Sequence, residues 1–167
     1  MFEGKGKPAQ IPSGTTTIRS SSPEETFAFG ASIGATVRSG TLLLLQGPIG
    51  AGKSVFVGGL ASALGVETFR GSPTFSLVHE YSTEPSFYHV DLYRLDEQEI
   101  EDLGLDEYAR PDSVVAVEWA ERAPTYLAGI AAGEVIWIDL EITGPEERII
   151  SVTTGVAESR PGQSIRV

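Results

Sequence analysis

The strongest chemical signal in the chain is a run of eight residues, Gly47-Pro48-Ile49-Gly50-Ala51-Gly52-Lys53-Ser54. They fit the P-loop pattern G-x-x-x-x-G-K-[ST]. Its glycines let the backbone curl so that N–H groups cradle phosphate oxygens. In that chemistry Lys53 reaches the β- and γ-phosphates, and the Ser54 hydroxyl takes one position on Mg²⁺. Lysine usage sharpens the signal. Lys5, Lys7 and Lys53 are the only lysines, so Lys53 alone lies beyond the first seven residues; every other cation there is arginine.

A bound nucleotide brings a metal, and a second protein anion normally supports that metal from the end of a neighbouring buried strand. Two short apolar runs end in a carboxylate: residues 114–117 before Glu118, and residues 87–90 before Asp91. Glu118 follows the cleaner run, so it is the preferred metal-side carboxylate. Asp91 is then the candidate for positioning an attacking water or sensing the γ-phosphate. The plain alternative for each is a solvated strand end. Ser72-Pro73-Thr74 falls where switch loops occur, and the Thr74 hydroxyl is a candidate contact to Mg²⁺ or γ-phosphate. An ordinary Ser-Pro turn fits those three residues equally well. His79 and His89 alternate with apolar neighbours, which reads as packed or surface histidines without a catalytic role.

These residues need a scaffold, and the chain supplies one. An apolar run at 41–46 predicts a buried parallel-type strand before the glycine loop. Helically spaced apolar residues follow it, ending at Gly65. A first strand is expected at 15–20. Ser22-Pro23-Glu24-Glu25 reads as a capping box opening a helix that runs to Gly40. An antiparallel hairpin is expected from 76–81 and 87–93, then an acidic helix at 96–103 and a further turn at 106–109. After the strand at 114–117 come a short helix at 120–127 and a final hairpin of 135–142 with 148–153. The layout is α/β: a P-loop NTPase-like mixed central sheet with helices on both faces and antiparallel edge strands. Ligands in such sheets bind beyond the carboxyl ends of the strands, where the glycine loop lies.

Composition narrows the classes of function. The 167 residues form one expected domain over 15–155, between a flexible tail at 1–14 and a loose tail at 156–167. Without cysteine there is neither a disulfide nor a thiolate metal site. No apolar run approaches the roughly 20 residues of a membrane span, and no apolar signal core opens the chain, so a cytoplasmic protein is expected. The net charge of -11, with nine scattered arginines, argues against a direct grip on nucleic acid.

Several blocks together carry a resemblance: Gly47 to Ser54, then Ser72-Pro73-Thr74-Phe75-Ser76-Leu77-Val78, Tyr81, Tyr88-His89-Val90-Asp91-Leu92-Tyr93-Arg94-Leu95 and Val117-Glu118-Trp119. In order and spacing they resemble the TsaE (YjeE-like) family, over Ser22 to about Thr154. What the resemblance implies is a small P-loop ATPase with ATP and Mg²⁺ as cofactors. It would act with a TsaB–TsaD pair that attaches a threonylcarbamoyl group to the adenosine beside the anticodon. The tRNA would be met only through that pair.

By motif position, Gly47, Gly50, Ala51, Gly52, Lys53, Ser54 and Val55 would surround the nucleotide, with Trp119 beside it. Ser54 and Glu118 would hold Mg²⁺, Thr74 would belong to the switch loop, and Asp91 would be needed for hydrolysis. The stretch Ser22 to Thr26 resembles the family segment near the adenine. Two departures stand out: Pro48-Ile49 replaces the family's more usual Asp-Leu, and Ser54 replaces threonine. Serine keeps the metal-facing hydroxyl, whereas Pro48 removes one backbone N–H.

Two other readings fit a glycine loop of this kind. A small-molecule kinase would need a second substrate pocket and an arginine-rich lid. Here the region after the hairpin is acidic instead, from Asp96 to Glu107. A nucleotide-gated binding module without significant hydrolysis needs neither, and only turnover separates it from a slow, partner-stimulated ATPase.

Overall fold

Four leucines in a row, Leu42 to Leu45, are almost wholly removed from solvent in β2 (Leu42–Gln46). An unbroken apolar strand needs cover on both faces, and the computed structural model, which describes residues 14–155, provides it. Leu43 and Leu45 pack with Phe56, Val57 and Leu60 of α2 (Lys53–Ala63) and Ile33 of α1 (Pro23–Gly34). Leu42 and Leu44 face the opposite layer. That layer holds Ile100 of α3 (Glu97–Asp102), Leu127 of α4 (Pro124–Gly129), and two 3₁₀ turns, Leu105–Glu107 and Ala120–Arg122.

The remaining strands are β1 (Gly14–Ser20), β3 (Val78–Tyr81), β4 (Ser86–Asp91), β5 (Ser113–Glu118), β6 (Val135–Ile142) and β7 (Arg148–Gly155). They make one seven-stranded sheet in the order β1-β7-β6-β2-β5-β4-β3. β6, β2, β5 and β4 run parallel to one another; β1, β7 and β3 join antiparallel. This is the expected mixed sheet with antiparallel edges. Its four parallel strands end on one rim. Register there puts Gln46 beside Asp139, Leu45 beside Glu118, and Glu118 beside Asp91.

Local chemistry explains where the elements stop. Ser22 caps α1 by accepting from the Glu25 N–H at 3.2 Å. The Glu25 carboxylate returns to the N–H of Ser21, one residue earlier than a strict capping box requires. The helix ends at Gly34 rather than Gly40, because Thr36 takes the Ile33 carbonyl with both its N–H (2.9 Å) and its hydroxyl (2.8 Å). The single helix expected at 120–127 is divided instead. Pro124 disfavours a helical residue before it, so Ala123 leaves the helical region (φ -147°, ψ 58°) and Pro124 starts α4 afresh. α3 carries the complete box, with Asp96 and Glu99 each accepting the other's N–H at 2.9 Å. The expected tails lie outside the described residues, apart from Gly14, which begins β1. Among the described residues no helix is long and apolar enough to cross a membrane.

α1 and α2 meet backbone to backbone. A Cβ on Gly30 would overlap the Phe56 carbonyl, and one on Gly59 would overlap the Phe27 carbonyl. This contact sets how α2, and therefore the glycine loop at its N-terminus, lies against the sheet. Gly59→Ala is expected to cost about 1–3 kcal/mol through overpacking. Gly129→Ala, with open space around it, should change stability little. Thermal unfolding of both variants checks the difference.

Candidate functional site

The loop between β2 and α2 turns on left-handed glycines: Gly50 at φ 77° and Gly52 at φ 98°, a conformation that costs glycine nothing. Gly52 caps α2 without any side-chain hydrogen bond. The helix's first N–H groups and the positive end of its dipole therefore open onto the rim. A cavity of about 440 Å³ lies there, lined by residues 49–55 with Ser72, Thr74, Tyr93, Glu118 and Trp119. Gly47 and Asp91 fall just outside its lining.

Lys53 begins α2 and folds back on its own loop. Its Nζ donates to the carbonyls of Gly47 (2.6 Å) and Pro48 (3.0 Å) and sits 3.9 Å from the centre of the Trp119 ring. Burial lowers the Lys53 pKa below the ordinary lysine value, with Glu118, Glu121 and Asp91 pulling the other way. Trp119 reaches this position because its backbone is left-handed, φ 62°, straight after β5. A non-glycine residue in that region is strained and is often found where function demands it.

Glu118 is the hub on the metal side. It is buried, and it accepts the Ser54 hydroxyl at 3.0 and 3.3 Å on its two oxygens. His89 Nε2 lies 2.7 Å from Glu118 Oε1; against a carboxylate that nitrogen is the donor. His89 is completely buried, its Nδ1 has no hydrogen-bond partner, and Phe69 stacks on its ring.

Asp91 ends the next strand. Its Oδ2 accepts the hydroxyls of Ser72 and of Thr74, the latter at 3.1 Å, and its Oδ1 accepts the Tyr93 N–H at 2.9 Å. The loop from 70 to 77 is thereby tied down across the site. Leu77 (φ 67°) closes it, donating its N–H to Pro73 and accepting that of Asp91.

The structure thus brings Lys53, Ser54, Thr74, Glu118 and Trp119 to one cavity and sets Asp91 behind the Ser72 and Thr74 hydroxyls. A hydroxyl and a carboxylate side by side make a hard-oxygen donor pair suited to Mg²⁺. Among the described residues no cluster of three or more His, Cys, Asp or Glu could hold a metal.

His89 is the residue whose place the sequence reading passed over. The two-residue period Phe87-His89-Asp91 was the available signal, since it puts the histidine on the Asp91 face of β4. A second cavity, about 260 Å³, flanks the loop on its other side and is lined by Pro23, Thr26, residues 50–52, Val55, Pro145, Glu146 and Arg148.

The chain is similar to known proteins over most of its length. The family model described as "Threonylcarbamoyl adenosine biosynthesis protein TsaE" matches residues 20–150. A Bacillus subtilis protein named "tRNA threonylcarbamoyladenosine biosynthesis protein TsaE" is 40% identical over 136 residues, covering 81% of this chain and 83% of its own. A Nostoc protein of the same name is 40% identical over 114 residues, covering 65% and 70%. Among solved structures, Bacillus subtilis YdiB superposes with a TM-score of 0.68 at 33% identity, covering 85% of this chain and 86% of that one.

The lowered pKa of Lys53 has a measurable consequence. An anion paired with Nζ favours the charged amine, so the pKa is higher in the complex than in the free protein. Between the two values, phosphate-ligand binding takes up a proton, and affinity falls as pH rises through the free protein's value. Isothermal titration with pyrophosphate at alkaline pH, in two buffers of different ionisation enthalpy, should show that uptake, and Lys53→Met should abolish it.

Proposed function

The chain belongs to the TsaE family, and from that premise we propose that it is a Mg²⁺-dependent ATPase of tRNA threonylcarbamoyladenosine biosynthesis. It acts in the cytoplasm with homologues of TsaB and TsaD, which hold the tRNA. The observation that carries this reading is the meeting of Lys53, Ser54 and Glu118 around one cavity at the carboxyl ends of β2 and β5. A net charge of -11 fits a protein that leaves RNA to its partners.

In this reading the N–H groups at the start of α2 receive the phosphates, and Lys53 exchanges the Gly47 and Pro48 carbonyls for phosphate oxygens. Ser54 and Glu118, hydrogen-bonded to each other in the free site, are the residues that would hold the metal. Mg²⁺ held there would supply charge neutralisation and Lewis-acid polarisation at the phosphates. Thr74 leaves Asp91 for the γ-phosphate side, which opens one acceptor position on Asp91 Oδ2, still held by Ser72, toward the attacking water. Trp119 closes the cavity over Lys53. The second cavity, beside Pro23 and Thr26, receives the base or ribose.

ATP turnover by the purified chain, alone and with the TsaB and TsaD homologues and tRNA, tests the assignment. Weak turnover alone, stimulation by the pair, and multiple rounds of threonylcarbamoyl transfer are expected. Turnover indifferent to the pair, and to Asp91→Ala, would favour a nucleotide-gated docking module instead. Lys53→Ala should weaken ATP binding by about tenfold or more, the scale of losing a charge-assisted contact. Glu118→Ala should lose the Mg²⁺-dependent turnover; a variant that keeps full Mg²⁺ dependence would move the metal role to Asp91.

A further inference from the structure

The hairpin of β6 and β7 forms an outer wall against the glycine loop. At the loop's first residue, a Cβ on Gly47 would overlap the Leu140 carbonyl of β6. Just before it, Gln46 donates to Asp139 across the β2–β6 pair. Further along the loop the contact passes to Arg148, the first residue of β7. Its Nε donates to the Ala51 carbonyl at 3.1 Å, and one terminal nitrogen donates to the Gly50 carbonyl at 3.0 Å. The other terminal nitrogen turns to the hairpin's own bend, donating to Glu147 at 2.8 Å and Gly144 at 3.0 Å, with a longer contact to Pro145. One planar group therefore fastens two loop peptides to the 143–147 turn.

The consequence follows from peptide geometry. In a planar trans peptide the C=O and the next N–H point in opposite directions. Fixing the Ala51 carbonyl on Arg148 turns the Gly52 N–H away from the guanidinium. Fixing the Gly50 carbonyl orients the Ala51 N–H, which closes the loop's bend on the Pro48 carbonyl at 3.1 Å. Glycines at 50 and 52 leave these peptide planes free to rotate, so the orientation has to be imposed from outside.

We infer that Arg148 is the positioning residue of the phosphate loop, its fork setting two peptide planes so that the loop is shaped for phosphate before a ligand arrives. This rests on the nucleotide reading proposed above. Lysine cannot substitute, because an ammonium is a point charge and lacks a planar fork.

The test is ADP and ATP binding by the full chain, followed by calorimetry or Trp119 fluorescence, in the wild type, Arg148→Gln and Arg148→Lys. Both variants should bind either nucleotide about tenfold more weakly. Their KM for ATP should rise by about the same factor, and their Mg²⁺ dependence should not move. A residue that merely staples the hairpin would lower the unfolding temperature and leave affinity intact; folded variants with wild-type affinity overturn the inference. If near-UV circular dichroism shows that neither variant folds, the wild type decides. The Arg148 Nε–H resonance should exchange slowly with solvent and shift on adding ADP, and exchange at the free-solvent rate in both states overturns the inference. Wild-type protein that binds no ADP overturns this inference and the nucleotide reading together. Wild-type binding with unaffected variants overturns this one alone.

Discussion

The parallel register of β2, β5 and β4 is the constraint from which the site follows. Leu45 lies level with Glu118, and Glu118 level with Asp91. Side chains at strand ends one and two positions across a sheet are therefore delivered to the same rim that the glycine loop leaves. A shift of one residue in β5 would send Glu118 to the opposite face, toward the layer of Leu42 and Trp137. Such a shift would bury a charge among apolar side chains, which helps hold the register. The all-apolar strands and the site carboxylates thus enforce one another.

The polar side chains around the cavity are already paired within the protein. Lys53 rests on two carbonyls, Ser54 on Glu118, and Ser72 and Thr74 on Asp91. Buried charge without partners is costly, so the free site must satisfy itself, and a ligand competes with those contacts. Under the proposed function, a phosphate that drew off Thr74 would loosen the tether between the 70–77 loop and Asp91. His89, fully buried, lies against the same carboxylate from the β4 side, so Glu118 is held by two partners from different elements.

Much of this was legible in the residues. The glycine loop with its strand and helix, the buried type of the runs at 41–46 and 114–117, and the carboxylates that end β4 and β5 are encoded within a few positions of one another. What was not legible depended on contacts between distant segments. The α1–α2 crossing on Gly30 and Gly59 leaves no periodic trace, and Arg148 is 97 residues from the carbonyl its Nε holds. Local surprises came from single side chains that outweighed a broad pattern. Thr36 ended a helix that apolar spacing carried to Gly40, and Pro124 split one that composition made continuous. His89 is packed, as read, but its pairing with Glu118 went unseen for a related reason: burial on a strand face looks the same in sequence whether the neighbour across the sheet is alanine or, one step further, a carboxylate.

The most direct test of the account is a crystal structure of this chain grown with Mg²⁺ and a non-hydrolysable ATP analogue. The account predicts the phosphates against the start of α2, Lys53 Nζ detached from the Gly47 and Pro48 carbonyls, and Ser54 and Glu118 both turned to one metal ion. A nucleotide bound elsewhere, or bound here with the Ser54–Glu118 hydrogen bond intact and the metal held by other residues, would contradict it.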